Sequence, residues 1–137
     1  MSITVATAAA DARAEVETFY RRELRREVPL GSDEQLFVAR AGQVLVGALR
    51  LYPEAQTLVL RTVVVAERWR RRGIGRAMLA LASEAIGQRE CWCFPWAHLE
   101  HFYGAVGFRR VAREEVPRTL LHRLDDECIP THREAGR

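Results

Sequence analysis

Gly73 and Gly75 stand two residues apart within a run of arginines: Arg68, Arg70, Arg71, Arg72 and Arg76. A strand-like run, Val63-Val64-Val65, precedes them, and a segment of helical periodicity begins at Gly75. This pattern is suited to holding a phosphate or pyrophosphate. A helix N-terminus presents unpaired N–H groups and a partial positive charge, so it attracts anions. Glycine lets the backbone approach the anion without an intervening Cβ, and guanidinium groups add bidentate contacts to phosphate oxygens. Two familiar cradles do not fit. A dinucleotide fingerprint needs a third small residue where Met78 stands, and a P-loop needs a lysine, which the chain lacks entirely. A solvated basic surface with two convenient glycines is the bland alternative.

A second group of reactive residues is Cys91, Cys93, His98 and His101, four potential metal ligands within eleven positions. Structural zinc sites favour wider cysteine spacing, and C-x-C places both thiols on one face of a strand. Free cysteines packing as small hydrophobes are the reading adopted, and no metal is expected. Trp92, Phe94 and Trp96 alternate along the same stretch and fit either a core face or the wall of a pocket. Arg61 interrupts an apolar strand. A charge there is costly unless paired, so it faces a cleft, a partner carboxylate or an open side of the sheet.

These residues need a scaffold. Residues 3–7 alternate as a short strand, and residues 9–26 carry Val16, Phe19, Tyr20 and Leu24 as a helical stripe. Residues 35–40 and 43–51 read as strands around a turn at Ala41-Gly42, with a second turn over residues 52–56. Residues 57–65 are the strongest strand, ending in three valines. Residues 75–88 are helical, with Met78, Leu79, Ala82 and Ile86 on one face. Residues 91–94 read as a buried strand, and residues 99–106 as a short helix closed by a left-handed Gly107. Residues 108–111 and 119–124 are two further strand candidates. One domain over residues 1–137 is expected, with residues 125–137 a polar, loosely docked tail.

Composition narrows the class. At 137 residues, with 48% hydrophobic and 28% charged, the chain has a globular balance and enough length for one core. Its longest apolar run, residues 58–66, is interrupted by Arg61 and Thr62 and falls short of the roughly 20 residues that span a bilayer. No membrane association is expected. The start Met1-Ser2-Ile3-Thr4 lacks a basic region followed by an apolar core, so a cytoplasmic location is expected. Three cysteines, an odd number, argue against a disulfide framework. All 21 basic residues are arginine, and the formal charge is +3. The alternating charges at Arg21, Arg22, Glu23, Arg25, Arg26 and Glu27 read as a solvated helix face.

Arg70-Arg71-Arg72-Gly73-Ile74-Gly75 resembles the [Q/R]-x-x-G-x-[G/A] acetyl-CoA signature of the GNAT superfamily of N-acetyltransferases. Upstream, Leu60-Arg61-Thr62-Val63-Val64-Val65 is similar to that family's central strand. Downstream, Phe102-Tyr103 four residues before Gly107-Phe108 is similar to its second signature. About residues 4–124 can be laid on the family plan. The resemblance implies a mixed α/β fold: a mostly antiparallel sheet with splayed parallel middle strands and flanking helices. It implies acetyl-CoA as co-substrate and no metal. Val63, Val64 and Val65 would lie along the pantetheine arm. Arg70, Arg71, Arg72, Gly73, Ile74, Gly75 and Arg76 would hold the phosphates.

The reaction so implied moves an acetyl group directly to a primary amine, a small molecule or amino acid, in a ternary complex. The departing thiolate needs an acid, and Tyr103 occupies the position that commonly supplies it in the family. A backbone N–H near residues 63–65 would stabilise the oxyanion. For the base, Glu54, Glu100, His98 and His101 are candidates, with none singled out. The run around Arg61, and Glu114-Glu115-Val116-Pro117, are similar to N-acetylglutamate synthase-like amino-acid acetyltransferases, which would give Arg61 a substrate carboxylate to hold. An internal ion pair is the alternative for Arg61. Two other functions compete: a non-catalytic acetyl-CoA-binding sensor, and a nucleic-acid-binding module built on Arg68 to Arg76. The second has only Trp69 as an interleaved aromatic, so no nucleic-acid partner is expected. A homodimer fits the family plan.

Overall fold

The computed structural model describes residues 2–136; Met1 and Arg137, the two ends of the expected 1–137 unit, lie outside the described residues. Strand β1 (Ile3–Thr7) leads through a 3-10 turn (Ala10–Ala12) into helix α1 (Arg13–Leu24). Three strands follow, β2 (Gln35–Ala41), β3 (Val44–Glu54) and β4 (Thr57–Val65), and then helix α2 (Ile74–Ile86). The rest comprises β5 (Cys91–Cys93), helix α3 (Glu100–Gly104), β6 (Arg109–Arg110) and β7 (Thr131–Arg133). Together the strands form one seven-stranded sheet in the order β1-β2-β3-β4-β5-β7-β6. Among the described residues, only β4 and β5 run parallel.

The two-residue alternation of a strand sorts the core onto two faces. Phe37 and Ala39 of β2 pack with Met78, Leu79, Ala82 and Ile86 of α2, whereas Leu36 and Val38 pack with Val16, Phe19 and Tyr20 of α1. Each fully buried side chain of this kind contributes about 1.5–3 kcal/mol relative to exposure. Both helices therefore stay on the sheet through the stripes legible in the sequence. Helix α1 closes on Arg25, which sits in the left-handed region at φ 60° and donates its N–H to the Arg21 carbonyl at 3.0 Å.

Four readings are corrected. The turn expected over residues 52–56 is tighter: β3 continues through Pro53 to Glu54, and only Ala55 and Gln56, both at positive φ, make the reversal. Two positive-φ residues match the strand twist of a two-residue hairpin. Residues 119–124 are not a strand but a 3-10 helix (Arg118–Arg123). Leu120, Leu121 and Leu124 follow a helical turn rather than alternation, and Leu120 buries itself against Val59 and Trp92.

The residues after Asp125 are not a loose tail. The Asp125 carboxylate accepts hydrogen bonds from the Glu127 and Cys128 N–H groups (2.8 and 3.0 Å), which lowers its pKa, and turns the chain back. Ile129 is buried, and β7 inserts between β5 and β6. The free edge of β5 would otherwise leave buried backbone groups unpaired, and a three-residue strand is enough to satisfy them. The Thr131 hydroxyl donates to the Cys93 carbonyl at 2.7 Å and secures the insertion. The strand expected over residues 108–111 shortens to β6, which pairs only with β7.

Candidate active site

The parallel ladder between β4 and β5 spans only Leu58↔Cys91 to Leu60↔Cys93. Beyond it the two strands lose each other. Pro95 ends the β5 extension, and β4 carries a bulge: Arg61 faces Arg50 and Val64 faces Ala48, so Thr62 and Val63 together oppose Leu49. Thr62 sits at φ 55°, a left-handed conformation uncommon for a β-branched residue. The opened wedge holds two cavities.

The first cavity, about 490 Å³, is lined by Val63 and Val65 on one side and by Arg70, Arg71, Gly73, Ile74, Gly75 and Arg76 at the start of α2. Ala66 donates its N–H to Val46 of β3 (2.8 Å), so the alternating polar groups of Val65 point to the open side. Arg70 Nε donates to the Val65 carbonyl at 2.9 Å from that side. Helix α2 starts at Gly73 with φ 79°, and no side chain caps it. Its first-turn N–H groups have no intrahelical acceptor. A Cβ on Gly75 would come within 3.3 Å of the Phe102 ring, so glycine there lets α2 and α3 approach. Arg71 also sits at positive φ (66°), just ahead of this helix start. Arg72 stacks over Trp69, 4.8 Å from the ring centre, and does not line this cavity. Val64 turns to the opposite side, against the α1 core.

The second cavity, about 480 Å³, lies on the far side of the bulge. Arg61, Phe94, Trp96, His122, Arg123 and Asp125 are among its walls. Arg61 donates to the Tyr52 hydroxyl at 2.8 Å and, among the described residues, pairs with no carboxylate. Arg123 is held by Glu54 (2.8 and 3.0 Å) and also donates to the Tyr52 hydroxyl. His122 Nε2 lies 3.3 Å from the other Glu54 oxygen. The Trp96 ring is more than half exposed and stacks on His98. Val63, Leu99 and Tyr103 are common to both cavities and form their junction.

Tyr103 projects from α3, its ring held edge-on by Phe102 and Phe108 at 4.9 and 6.3 Å. Burial pushes its phenol well above the ordinary tyrosine range, so it remains protonated at neutral pH. Its hydroxyl has no hydrogen-bond partner among the described residues.

The structure thus brings together most of the residues singled out in sequence and separates a few. Glu100 pairs with Arg110 at the surface (3.6 Å), away from both cavities. Cys91 and Cys93 pack in the main core, where burial raises both thiols, Cys91 to about 12. Trp92 faces the opposite core, and Phe94 stacks on it. Sequence reasoning missed His122, Arg123, Cys128 and Arg26 as cavity residues. They come from the irregular segments, where no periodicity or motif marks them.

Among the described residues no helix is long and apolar enough to cross a membrane. No match was found among curated protein sequences. The model of the acetyltransferase (GNAT) domain matches residues 32–110, more than half of the chain. Solved structures share the fold. Escherichia coli ElaA is 19% identical, with 97% of this chain and 100% of that one covered and a TM-score of 0.73. The ribosomal-protein-S18-alanine N-acetyltransferase of E. coli is 14% identical, with 99% and 96% covered and a TM-score of 0.75. The N-acetylglutamate synthase of Neisseria gonorrhoeae, solved with coenzyme A and L-arginine, is 14% identical with a TM-score of 0.71; 98% of this chain covers 34% of that longer one. The two-cavity wedge, the uncapped glycine junction and the family match lead to one assignment: the chain belongs to the GNAT acetyltransferase family.

Proposed function

We propose that this protein transfers the acetyl group of acetyl-CoA directly to a primary amine. The observation that carries this reading is the meeting of the two cavities at Val63 and Tyr103, one walled by a phosphate cradle and the other by arginines. The residues present fit acetyl-CoA: an uncapped helix start, two glycines, and a strand whose Val65 N–H faces the open side for a pantetheine arm to pair with, its carbonyl being held by Arg70. When bound, acetyl-CoA supplies an activated thioester carbonyl. Val63, Val64 and Val65 run along the arm, and the N–H groups of residues 71–76 hold the phosphates. The Val63 N–H stabilises the oxyanion, and Tyr103 donates its proton to the departing sulfur.

Direct transfer is favoured over a covalent acetyl-cysteine. Two thiols line the second cavity, Cys93 and Cys128. Burial raises both, Cys128 to about 11 with the help of Asp125, so neither is a thiolate at neutral pH. The acceptor is a small amine bearing a carboxylate, as in an amino acid. Arg61 carries an uncompensated charge into the cavity, while Arg123 is already neutralised by Glu54. A guanidinium with no internal carboxylate suits a bidentate contact to the acceptor. Arg61→Met should raise KM for a carboxylate-bearing acceptor by about tenfold or more, with little change for the matching amide. Steady-state kinetics on amino acid and amide pairs would measure this; equal losses on both would remove the assignment.

Calorimetry with acetyl-CoA tests the reading as a whole. The Gly73→Glu variant puts a carboxylate where the pyrophosphate is to lie and a side chain in a left-handed position. It should abolish measurable binding; the added Cβ meets no heavy atom within 4 Å, so the cost to the fold is that of the left-handed backbone, about 1–2 kcal/mol. A folded wild type that ignores acetyl-CoA would leave the fold without this function.

A further inference from the structure

Thr62 is a β-branched residue held at φ 55°, a conformation that persists only when its surroundings impose it. Three elements converge on it. The Tyr20 hydroxyl, from α1, donates to the Thr62 carbonyl at 2.7 Å. Arg50 Nη1, from β3, donates to the Thr62 hydroxyl at 3.3 Å. Arg50 is itself clamped by Glu34 at 2.6 and 3.0 Å, with both side chains buried. Tyr20 is fully buried, and that burial pushes its phenol far above the ordinary range, which keeps it a donor.

The Thr62 carbonyl and the Val63 N–H belong to one planar peptide unit, and no peptide of the described chain is cis. In a trans peptide these two groups point in opposite directions. A donor that fixes the carbonyl toward α1 therefore aims the Val63 N–H at the other face of the sheet. Tyr103 packs on that face, with the α2 core. Neither Thr62 nor Val63 has a partner in the β3 ladder, so the ladder does not set this direction. A hydrogen bond on the carbonyl also polarises the N–H of the same amide and strengthens it as a donor.

We infer that Tyr20 is a positioning residue for acetyl transfer: it holds and polarises the Thr62–Val63 peptide so that its N–H meets the oxyanion, with Arg50 and Glu34 bracing the same bulge. This rests on the reading of the Val63–Tyr103 junction as the site of transfer.

Tyr20→Phe removes the hydroxyl and keeps the ring packing. Acetyl transfer is followed with hydroxylamine and with the twenty L-amino acids as probes, acetyl-CoA affinity by calorimetry, and the Val63 amide by ¹⁵N NMR. The expected result is a fall in kcat of about tenfold, less than the loss of a whole oxyanion donor. Acetyl-CoA affinity should stay within about twofold, because the cradle is untouched. The Val63 ¹⁵N resonance should move upfield, and acetyl-CoA should shift it less than in the wild type. Unchanged kcat, or a fall matched by equal loss of affinity and of folded protein, overturns the inference and leaves acetyl transfer standing. Acetyl-CoA binding by the wild type without transfer to any probe removes the transfer reading and this inference together. Should the variant not fold, a wild-type Val63 amide that is unmoved by acetyl-CoA overturns the inference by itself.

Discussion

Tyr103→Phe should lower kcat by about a hundredfold or more while acetyl-CoA affinity stays within about twofold. The ring is fixed by Phe102 and Phe108, and phenylalanine preserves both contacts. Only the hydroxyl is lost, and it makes no protein hydrogen bond among the described residues, so the fold loses nothing with it. A packing residue would leave kcat unaffected as well as stability. The folded phenol titrates above its unfolded value of about 10, so its acid form persists throughout the neutral range. The wild type should therefore show no alkaline decline from Tyr103 below about pH 10. Stopped assays of thiol release across pH 6–9, together with calorimetry on the variant, would decide it. A kcat within threefold of wild type would return Tyr103 to the core.

Glu34→Ala should destabilise the fold by about 3–5 kcal/mol, the cost of leaving a buried charge without its partner. Arg50 and Glu34 are almost fully enclosed, with side chains 9% and 4% exposed. Glu34 also accepts the Gly31 N–H at 2.6 Å, so its loss frees the loop ahead of β2 as well. For a chain of this size such a change lowers Tm by roughly 10 °C or more. Replacing both members, Glu34→Leu with Arg50→Met, should cost much less than the single change, because no charge then remains to be buried. Denaturant melts of the three proteins give the comparison. A double variant as unstable as Glu34→Ala would mean that the pair adds net stability through its geometry.

Local pattern carried much of this molecule. The stripes of α1 and α2 and the alternation of β1 to β4 are short-range consequences of burying one face, and they appear in the structure within a few residues of where periodicity puts them. The glycine junction was legible for the same reason. A helix start after a strand needs only neighbouring residues to define it, and Gly73 and Gly75 mark it by their type. Tyr103 was legible through its family motif rather than through any spacing argument, since one aromatic on a short helix has no period.

Tertiary structure decided the rest. The segment Arg118–Arg123 has apolar residues compatible with more than one conformation, and contact with Val59 and Trp92 selected the helical turn. β7 exists because β5 has an edge to satisfy, a demand written nowhere in residues 131–133 themselves. The arginine, histidine and carboxylate arrangement of the second cavity joins β3, β4 and the 3-10 turn across about 70 positions of chain, as in Arg123 on Glu54. The direction of the Val63 amide depends on a hydroxyl 42 residues earlier. Sequence pattern reports what each segment buries. Which polar groups of distant segments meet is settled only when the faces pack, because a hydrogen bond or ion pair needs its partner within about 3 Å and leaves no periodic trace along the chain.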